Sequence, residues 1–236
     1  MPGPVLSRLS TAFFGGACFL CLGAANGVLC PACDADLPRL GGSLCPRCAI
    51  ELPQGAVCGR CLARKPHYDA TVAALVYRFP ADVLVHALKF EGELALAPLL
   101  GGMLADAVAT ASPWCVDAVV PVPLSPGRLA ERGVNQAMEL ARPAARAAGA
   151  RLDPGLCERV RDTPAQVGLP HAERTANVRS AFSCPRLVAG LSIAVVDDVM
   201  TTGATLDEIA RTVKAAGAER VVTSVSARAP PPAESP

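Results

Sequence analysis

Aromatic side chains are scarce in this 236-residue chain, which has six Phe, two Tyr and one Trp, or 4% of the residues. A core must therefore be built mainly from Ala, Val and Leu, and few side chains are left to stack on nucleobases. Charged residues are also few, at 18% against the ~25% of an average soluble chain. The formal net charge of +1 indicates no strongly basic face for duplex DNA, and a hydrophobic fraction of 51% excludes a disordered chain.

Several catalytic and nucleotide-binding motifs are missing. The chain has no Gly-Lys-Ser/Thr, so no nucleoside-triphosphate P-loop is predicted, and no G-x-G-x-x-G, so dinucleotide binding is unsupported. The chain also shows no Ser-His-Asp or Cys-His set that would indicate covalent catalysis, and no dedicated catalytic residue is assigned.

Cysteine, in contrast, is abundant, with eleven residues. Eight of them form four Cys-x-x-Cys pairs: Cys18/Cys21, Cys30/Cys33, Cys45/Cys48 and Cys58/Cys61. Each such turn aims two thiolates at one ion, and two turns complete a closed tetrahedral zinc site, which is structural rather than catalytic. We therefore predict one or two structural Zn2+ ions, and the spacing leaves open which pairs share an ion. The single cysteines are expected to pack as small apolar side chains: Cys115, Cys157 and Cys184.

Two alternatives concern this cysteine-rich segment. A disulfide framework fits less well than zinc, because the cysteine fraction lies below the ~8–10% of disulfide-dense domains. The apolar stretch from Arg8 to Ala25 has some look of a signal peptide, but it carries one positive charge and the pair Gly15-Gly16 interrupts it. It is also too short to cross a membrane. We interpret it as containing a metal knuckle, and expect a cytoplasmic protein without membrane insertion.

The composition changes near residue 67, where cysteine pairs stop and alternating apolar helix and strand patterns begin. Strands are predicted at 117–124, 191–199 and 220–229, and helices at 81–109 (two, broken near Gly92 and Pro98), 135–150 (kinked or broken at Pro143) and 205–218. Strands alternating with helices predict an α/β domain, with a parallel sheet covered on both faces. The expected division is a metal-binding domain at 14–66, this α/β domain at 67–230, and a disordered tail at 231–236.

The most informative stretch is VVDDVMTTGATL, residues 195–206. A buried strand carries Asp197 and Asp198 to its carboxyl end, the edge at which ligands bind in open α/β sheets. Threonines around one Gly follow directly before a helix, which is suited to cradle an anion with backbone amides and hydroxyls. Carboxylates for sugar hydroxyls beside a phosphate cradle predict a ribose 5-phosphate site. The alternative, two acids that merely cap a helix, leaves adjacent carboxylates on an apolar strand without a ligand or counter-ion.

This stretch resembles the phosphoribosyl-pyrophosphate-binding motif of the type I phosphoribosyltransferases. Nearly the whole chain resembles the ComF family, phosphoribosyltransferase-like proteins linked to competence and DNA uptake. Besides the acidic motif, the resemblance covers a double zinc ribbon at the N-terminus, PVPLSPGRLAERGVNQA (121–137) and RVRDTPAQVGLPHAERTANVRSAF (159–182). The positions that match are Arg128, Arg132, Gly133, Asn135, Gln136, Arg161, Thr163, Gln166, Arg174 and Asn177. The resemblance implies a type I phosphoribosyltransferase-like sheet at 67–230 and a double zinc ribbon domain at 14–66.

The resemblance also implies roles for individual residues. Asp197 and Asp198 would hold the ribose 2- and 3-hydroxyls and, through water, Mg2+. The 5-phosphate would be held at Met200, Thr201, Thr202, Gly203, Ala204 and Thr205. Pyrophosphate would meet the loop at Pro123 and the guanidinium groups of Arg128 and Arg132, and the segment from Arg161 to Arg174 would close over the site. Any one of these arginines could instead be a plain surface charge. Lys89 and His86 are not assigned a role.

Two functional hypotheses follow. In the first, the chain is a phosphoribosyltransferase that displaces Mg-pyrophosphate at the anomeric carbon, with an unknown acceptor. In the second, it is a binding module of DNA uptake whose zinc ribbon contacts single-stranded DNA or a partner protein. The ribbon segment has a modest excess of positive charge but almost no aromatic residues, which counts against a strong single-strand platform. A purely structural metal protein would leave the acidic motif unexplained.

Overall fold

A computed structural model describes residues 16–53, 56–111, 115–163 and 171–231, with the side chains of 171–174 excepted. The strands are β1 (Gly16–Ala17), β2 (Ala24–Ala25), β3 (Ala70–Val76), β4 (Ala118–Pro121), β5 (Arg151–Leu152), β6 (Glu158–Arg159), β7 (Phe182–Ser183), β8 (Ser192–Met200) and β9 (Arg220–Arg228). The helices are α1 (Pro31–Ala35), α2 (Gly59–Ala63), α3 (Ala81–His86), α4 (Ala97–Thr110), α5 (Pro126–Arg132), α6 (Gln136–Ala148), α7 (His171–Val178) and α8 (Ala204–Ala215). A π-helical turn at Ala87–Glu91 and a 3-10 turn at Leu94–Leu96 join α3 to α4.

The centre of the fold is a parallel sheet of five strands in the order β3-β9-β8-β4-β5. Two apolar cores cover its two faces. Along β8, Ile193 and Val195 point into the core that contains α8, whereas Ala194 and Val196 point into the core that contains α4 and α6. This alternation along an uninterrupted apolar run is typical of a parallel sheet with helices on both sides. The predicted α/β architecture is confirmed.

The helix predictions are confirmed with one correction. Gly92, at φ 72°, ends the first helical segment, and α4 begins at Ala97 with Pro98 in its first turn, so the stretch is broken between Gly92 and Pro98 as predicted. The helix α6 runs through Pro143 without a break. The Pro143 ring packs against Gly101 of α4, where a Cβ atom would lie 2.7 Å from its Cγ.

The edge strands β3 and β5 were not predicted. β3 reads ATVAALV, and its alanines have weak strand preference, while β5 has only two residues. The segment before β3 shields part of this edge, since Leu40 N donates to Ala74 O at 3.0 Å and Val76 N donates to Pro38 O at 2.7 Å. The domain boundary between residues 66 and 67 stays a prediction. The disordered tail also stays a prediction, because residues 232–236 lie outside the described part of the chain.

Candidate functional site

The eight paired cysteines form two clusters of four: Cys18, Cys21, Cys30 and Cys33 in the first, and Cys45, Cys48, Cys58 and Cys61 in the second. Within each cluster all sulfur atoms lie within 4.8 Å of one another. Neighbouring pairs therefore share a site, which settles the alternative that the spacing left open. Four convergent thiols fit a closed, structural zinc site in both clusters.

The two clusters differ in burial. In the first, Cys21 is exposed and only Cys18 is buried, whereas all four sulfurs of the second belong to buried residues. Burial alone would raise the pKa of Cys45, but backbone N–H groups of Cys58, Cys48 and Arg47 outweigh it and lower the pKa to about 7. Burial and the charge of neighbouring thiolates raise the pKa of Cys48 and Cys61, so within this cluster the backbone favours the zinc-binding thiolate at Cys45.

A cleft of about 330 Å³ opens at the carboxyl ends of β4 and β8, at the sheet edge where ligands bind in this class of fold. The polar side chains in its wall are mostly cationic on one side and acidic at the strand end. Its lining includes Tyr77, Lys89, Phe90, Val122, Leu124, Arg128, Arg132, Asn135, Gln136, Arg159, Asp197, Asp198, Thr201 and Thr205.

The acidic pair, Asp197 and Asp198, lies within the carboxyl-terminal part of β8. Asp198 is buried, and its Oδ1 accepts a hydrogen bond from Lys89 Nζ at 2.9 Å. Burial and the neighbouring charge of Asp198 raise the pKa of Asp197 to about 7, although Lys89 acts in the opposite direction. Burial disfavours the charge on Lys89, but the attraction of Asp198 and Asp197 outweighs it, so the pKa of Lys89 is raised. Asp198 is therefore paired with a lysine, while the pKa of Asp197 lies near neutral pH.

The turn that follows β8 has the geometry of an anion cradle. Gly203 has φ 81°, and a Cβ atom there would lie 2.8 Å from Met200 Cε, so only glycine fits without displacement. Thr202 Oγ1 accepts a hydrogen bond from Ala204 N at 3.1 Å, which fixes the turn against the start of α8. The N-terminus of α8 thus stands beside the acidic pair, with its dipole favouring an anion.

Three arginines line the same cleft. Arg128 Nη2 donates to Thr163 O at 2.9 Å, Arg132 stands 5.7 Å over the Phe90 ring, and Arg159 stands 5.6 Å over the Phe182 ring. Burial and the nearby Arg128 lower the pKa of Arg159. Guanidinium groups held close enough to repel one another favour an anionic ligand between them and the acids.

Asn135, one of the matching positions in the block 121–137, has a structural role. Its Oδ1 caps α6 by accepting from Ala137 N at 3.1 Å, and its Nδ2 donates to Val122 O at 3.0 Å. Gly133, at φ 71°, ends α5 just before it. Asn135 therefore fixes the position of the segment that follows β4 relative to the start of α6.

The structure brings together six of the thirteen residues assigned to the substrate: Asp197, Asp198, Thr201, Thr205, Arg128 and Arg132. Others lie nearby without lining the cleft. Met200 is buried beneath the turn, Pro123 lies between the lining residues Val122 and Leu124, and Thr202, Gly203 and Ala204 face a second cleft behind the turn.

The segment predicted to close over the site is only partly described. Arg161 Nη2 donates to the carbonyl oxygens of Asn177 and Arg179 at 3.0 and 2.5 Å, so it ties the two ends of this segment together and does not line the cleft. Gln166 and the side chain of Arg174 lie outside the described residues.

Sequence reasoning missed several lining residues. The sequence assigns no role to Lys89, Arg159, Tyr77 or Phe90, although all four line the cleft. Arg159 opens one of the matching blocks, which was a usable signal. Lys89 reaches Asp198 from 109 residues earlier in the chain, and no local pattern marks that contact.

Comparisons with known proteins agree with this geometry. Residues 9–62 match the family described as Double zinc ribbon domain, and residues 134–235 match the Phosphoribosyl transferase domain. The DNA utilization protein YhgH of Salmonella typhi is 36% identical over 87% of this chain and 94% of its own length. Competence protein F of Haemophilus influenzae is 33% identical over 92% of this chain and 99% of its own length. The chain belongs to the ComF family.

Its ComF-type fold is a type I phosphoribosyltransferase-like sheet with an N-terminal zinc ribbon that fits structural zinc. Solved structures that match part of the chain include a glutamine phosphoribosylpyrophosphate amidotransferase from B. subtilis, at 24% identity and a TM-score of 0.39. The match covers 56% of this chain and about a quarter (26%) of that longer protein. An adenine phosphoribosyltransferase from Rhodothermus marinus matches at 19% identity and a TM-score of 0.32, over 57% of this chain and 68% of its own length. Scores this low carry no information about function.

No helix in the described part of the chain is both long enough and apolar enough to cross a membrane.

Proposed function

We propose that the cleft binds phosphoribosyl pyrophosphate, or a related sugar phosphate, together with Mg2+. The observation that carries this proposal is a single cleft lined by the acidic pair of β8, by Thr201 and Thr205 on either side of the glycine turn, and by three arginines. Carboxylates suit ribose hydroxyls, the turn and helix suit a phosphate, and the arginines suit a pyrophosphate.

Each group has a distinct task in this proposal. Asp197 and Asp198 hold the ribose hydroxyls and, through water, a magnesium ion, which when bound neutralises the pyrophosphate. Arg128, Arg159 and Arg132, the last held over the Phe90 ring, bind the pyrophosphate. Transfer to an acceptor would then proceed through an oxocarbenium-like state, with these fixed charges and the exclusion of water as the sources of rate.

The experiment that tests ligand binding is a calorimetric titration with phosphoribosyl pyrophosphate, with and without Mg2+. We expect one site per chain that needs Mg2+, weakened about tenfold or more by Arg128→Gln or Arg159→Gln, because each removes a charge-assisted contact. Arg142→Gln is the matched control, since Arg142 is exposed on α6 and pairs only with Glu139 among the described residues. No binding by the unaltered chain, or equal loss in the control, would overturn the assignment.

We infer a second candidate function, a non-catalytic module that contacts single-stranded DNA or a DNA-uptake protein. Two observations favour it: the relatives are named for DNA utilization and competence, and a cleft of about 830 Å³ behind the turn is lined by Arg64, Arg179 and Arg211. Pyrophosphate release measured over a panel of bases and nucleic acids separates the two. Release with any acceptor supports the enzyme, whereas tight binding of phosphoribosyl pyrophosphate without release, together with DNA binding that falls with salt, supports the module.

A further inference from the structure

Arg228 is a buried charge without an acidic partner. It ends β9, is 2% exposed, and forms no ion pair with a carboxylate in the described part of the chain. Burying a guanidinium costs several kcal/mol unless its donors are satisfied and its charge is balanced. A position at the carboxyl end of a core strand, directly behind the glycine turn, therefore calls for a specific reason.

In the described part of the chain, Nε and Nη1 of Arg228 donate to backbone carbonyls in two different parts of the molecule. Nε donates to the carbonyl of the zinc ligand Cys48 at 2.7 Å. Nη1 donates to Met200 O at 2.8 Å, Thr201 O at 2.7 Å and Ala229 O at 2.6 Å. One side chain thus connects a knuckle of the second cysteine cluster with the turn that follows the acidic pair.

The zinc-bound cluster would supply the missing negative charge. Four thiolates outweigh the charge of one Zn2+ ion, so a loaded site carries net negative charge in a buried environment. Arg228 lies in electrostatic contact with the Cys48 sulfur, at the side of that cluster. The guanidinium therefore balances the metal centre while its planar fork orders the carbonyls of the turn.

Other contacts also join the second cysteine cluster to the turn. Arg60, from α2 within that cluster, donates from Nη2 to Thr202 O at 3.1 Å. The four cysteines belong to the same apolar core as Tyr68 and Met200, the residues against which Gly203 packs. None of these contacts involves the first, part-exposed cluster.

We propose that Arg228 is a positioning residue that couples zinc occupancy of the second cysteine cluster to the conformation of the turn Thr201–Gly203. The value of that turn as a phosphate cradle rests on the proposed function, whereas the coupling itself does not. Loss of this zinc loosens the turn, and occupation of the turn by an anion tightens the zinc site, because linkage between two sites is reciprocal.

The first test uses hydrogen exchange and no ligand. Zinc-loaded full-length chain is compared with Arg228→Met, Arg228→Lys and, as matched control, Arg220→Met, at the other end of the same strand about 26 Å away. Zinc content is measured on each sample, and the amides of β4 report whether the sheet stays folded. We expect exchange in 200–205 to rise about fivefold or more in both Arg228 variants with zinc still bound, and not in the control.

Wild-type exchange in 200–205 for a zinc-loaded Arg228 variant would overturn the proposal. Where Arg228→Met does not fold, Arg228→Lys decides by the same criterion, because it keeps the counter-charge but lacks the fork that reaches both sets of carbonyls.

The second test measures reciprocity with the ligand. Zinc release to a chromogenic chelator is followed with and without Mg-phosphoribosyl pyrophosphate, and Cys21→Ser/Cys30→Ser identifies which phase belongs to the second cluster. We expect the ligand to slow that phase about fivefold or more in the unaltered chain and less in Arg228→Lys at saturating ligand. Equal slowing in both contradicts the coupling. Failure of the ligand to bind the unaltered chain contradicts the proposed function instead, and leaves the exchange result to decide the coupling.

Discussion

Asp197 and Asp198 are neighbours on one strand, yet their surroundings give them different electrostatic states. Asp198 is paired with Lys89 at 2.9 Å, whereas burial and the charge of Asp198 raise the pKa of Asp197 to about 7. Two adjacent carboxylates at the base of a cleft, one buried and one half-buried, cannot both be charged without cost. A cationic or hydroxyl-rich ligand would therefore reduce the unfavourable electrostatic interaction between the two carboxylates.

The first prediction concerns the pH dependence of stability. The raised pKa of Asp197 means that the folded chain holds a proton that the unfolded chain has released, so its stabilisation is full below about pH 4 and is lost as pH rises through about 7. Asp197→Asn has no charge to lose, and its amide oxygen can still accept from Asp198 N. We expect its stability relative to the unaltered chain to increase by about 2–3 kcal/mol between pH 5 and pH 8.

Urea unfolding of both proteins at the two pH values measures this difference. Protonation of the zinc ligands affects both proteins alike and cancels. A difference between the variants that does not change with pH would contradict the raised pKa.

The second prediction concerns Lys89. Lys89→Met leaves the buried Asp198 carboxylate without its cationic partner, and we expect a loss of about 1–3 kcal/mol in the free energy of unfolding at pH 8. Lys89→Arg keeps the charge and should recover most of this loss. His86→Ala, an exposed change on the same helical segment, should stay within about 0.5 kcal/mol of the unaltered chain. Equal stability of Lys89→Met and the unaltered chain would show that the Lys89–Asp198 ion pair does not stabilise the fold.

At this scale, what the sequence predicts depends on whether a site is contiguous. The acidic pair and the threonine turn are consecutive residues, so their chemistry is visible in one short pattern. Lys89, Tyr77 and Arg159 reach the same cleft from separate segments, and only the sheet order brings them together. A lone lysine on an apolar helix carries no local signal of the carboxylate it will meet.

Among the secondary-structure elements, the unit β8–turn–α8 carries the candidate phosphate site. Its turn is narrow because Gly203 packs against Met200 and Tyr68, which belong to the core shared with the second cysteine cluster. The helix and strand patterns around it were readable because both are long and strongly apolar on their buried faces. The short β5 and the alanine-rich β3 were not readable, since their strand conformation comes from pairing with neighbours and not from local preference.

The third prediction separates backbone strain from packing at this turn. Gly203→Ala places a Cβ 2.8 Å from Met200 Cε and 3.1 Å from the Tyr68 hydroxyl oxygen, at φ 81°. Gly190→Ala is the matched control, because its φ is 72° and nothing lies within 4 Å of its Cβ. Both should lose about 1 kcal/mol of stability from the left-handed backbone, and Gly203→Ala more.

Only Gly203→Ala should weaken binding of Mg-phosphoribosyl pyrophosphate, which calorimetry can measure on both variants. Equal affinity of the two variants would argue that the turn does not hold the phosphate.

For the whole molecule, the two cysteine clusters have unequal structural roles. The first is part-exposed, whereas the second is buried in the core under β8 and β9. The cysteine spacing predicted the ligands of both. It could not predict that one cluster becomes part of the sheet's own core, because that depends on contacts such as Thr71 Oγ1 donating to Arg47 O at 2.6 Å, between segments distant in sequence.

The fourth prediction follows from this inequality. Cys48→Ser/Cys61→Ser should lose one zinc and the cooperative thermal unfolding of the sheet, since it places unpaired polar groups and a lost metal site in the core. Cys21→Ser/Cys30→Ser should also lose one zinc but keep cooperative unfolding. Zinc analysis with circular dichroism distinguishes the two, and indistinguishable melting curves would contradict the unequal roles.

The most direct test of the central claim is a calorimetric titration of Mg-phosphoribosyl pyrophosphate into the unaltered chain and into Asp197→Asn/Asp198→Asn. The predicted result is one Mg2+-dependent site in the unaltered chain and at least about a hundredfold weaker binding in the double variant, because both ribose-facing carboxylates are lost while the fold is retained. Equal affinity in the two proteins would contradict the claim that the carboxyl end of β8 is a sugar-phosphate site.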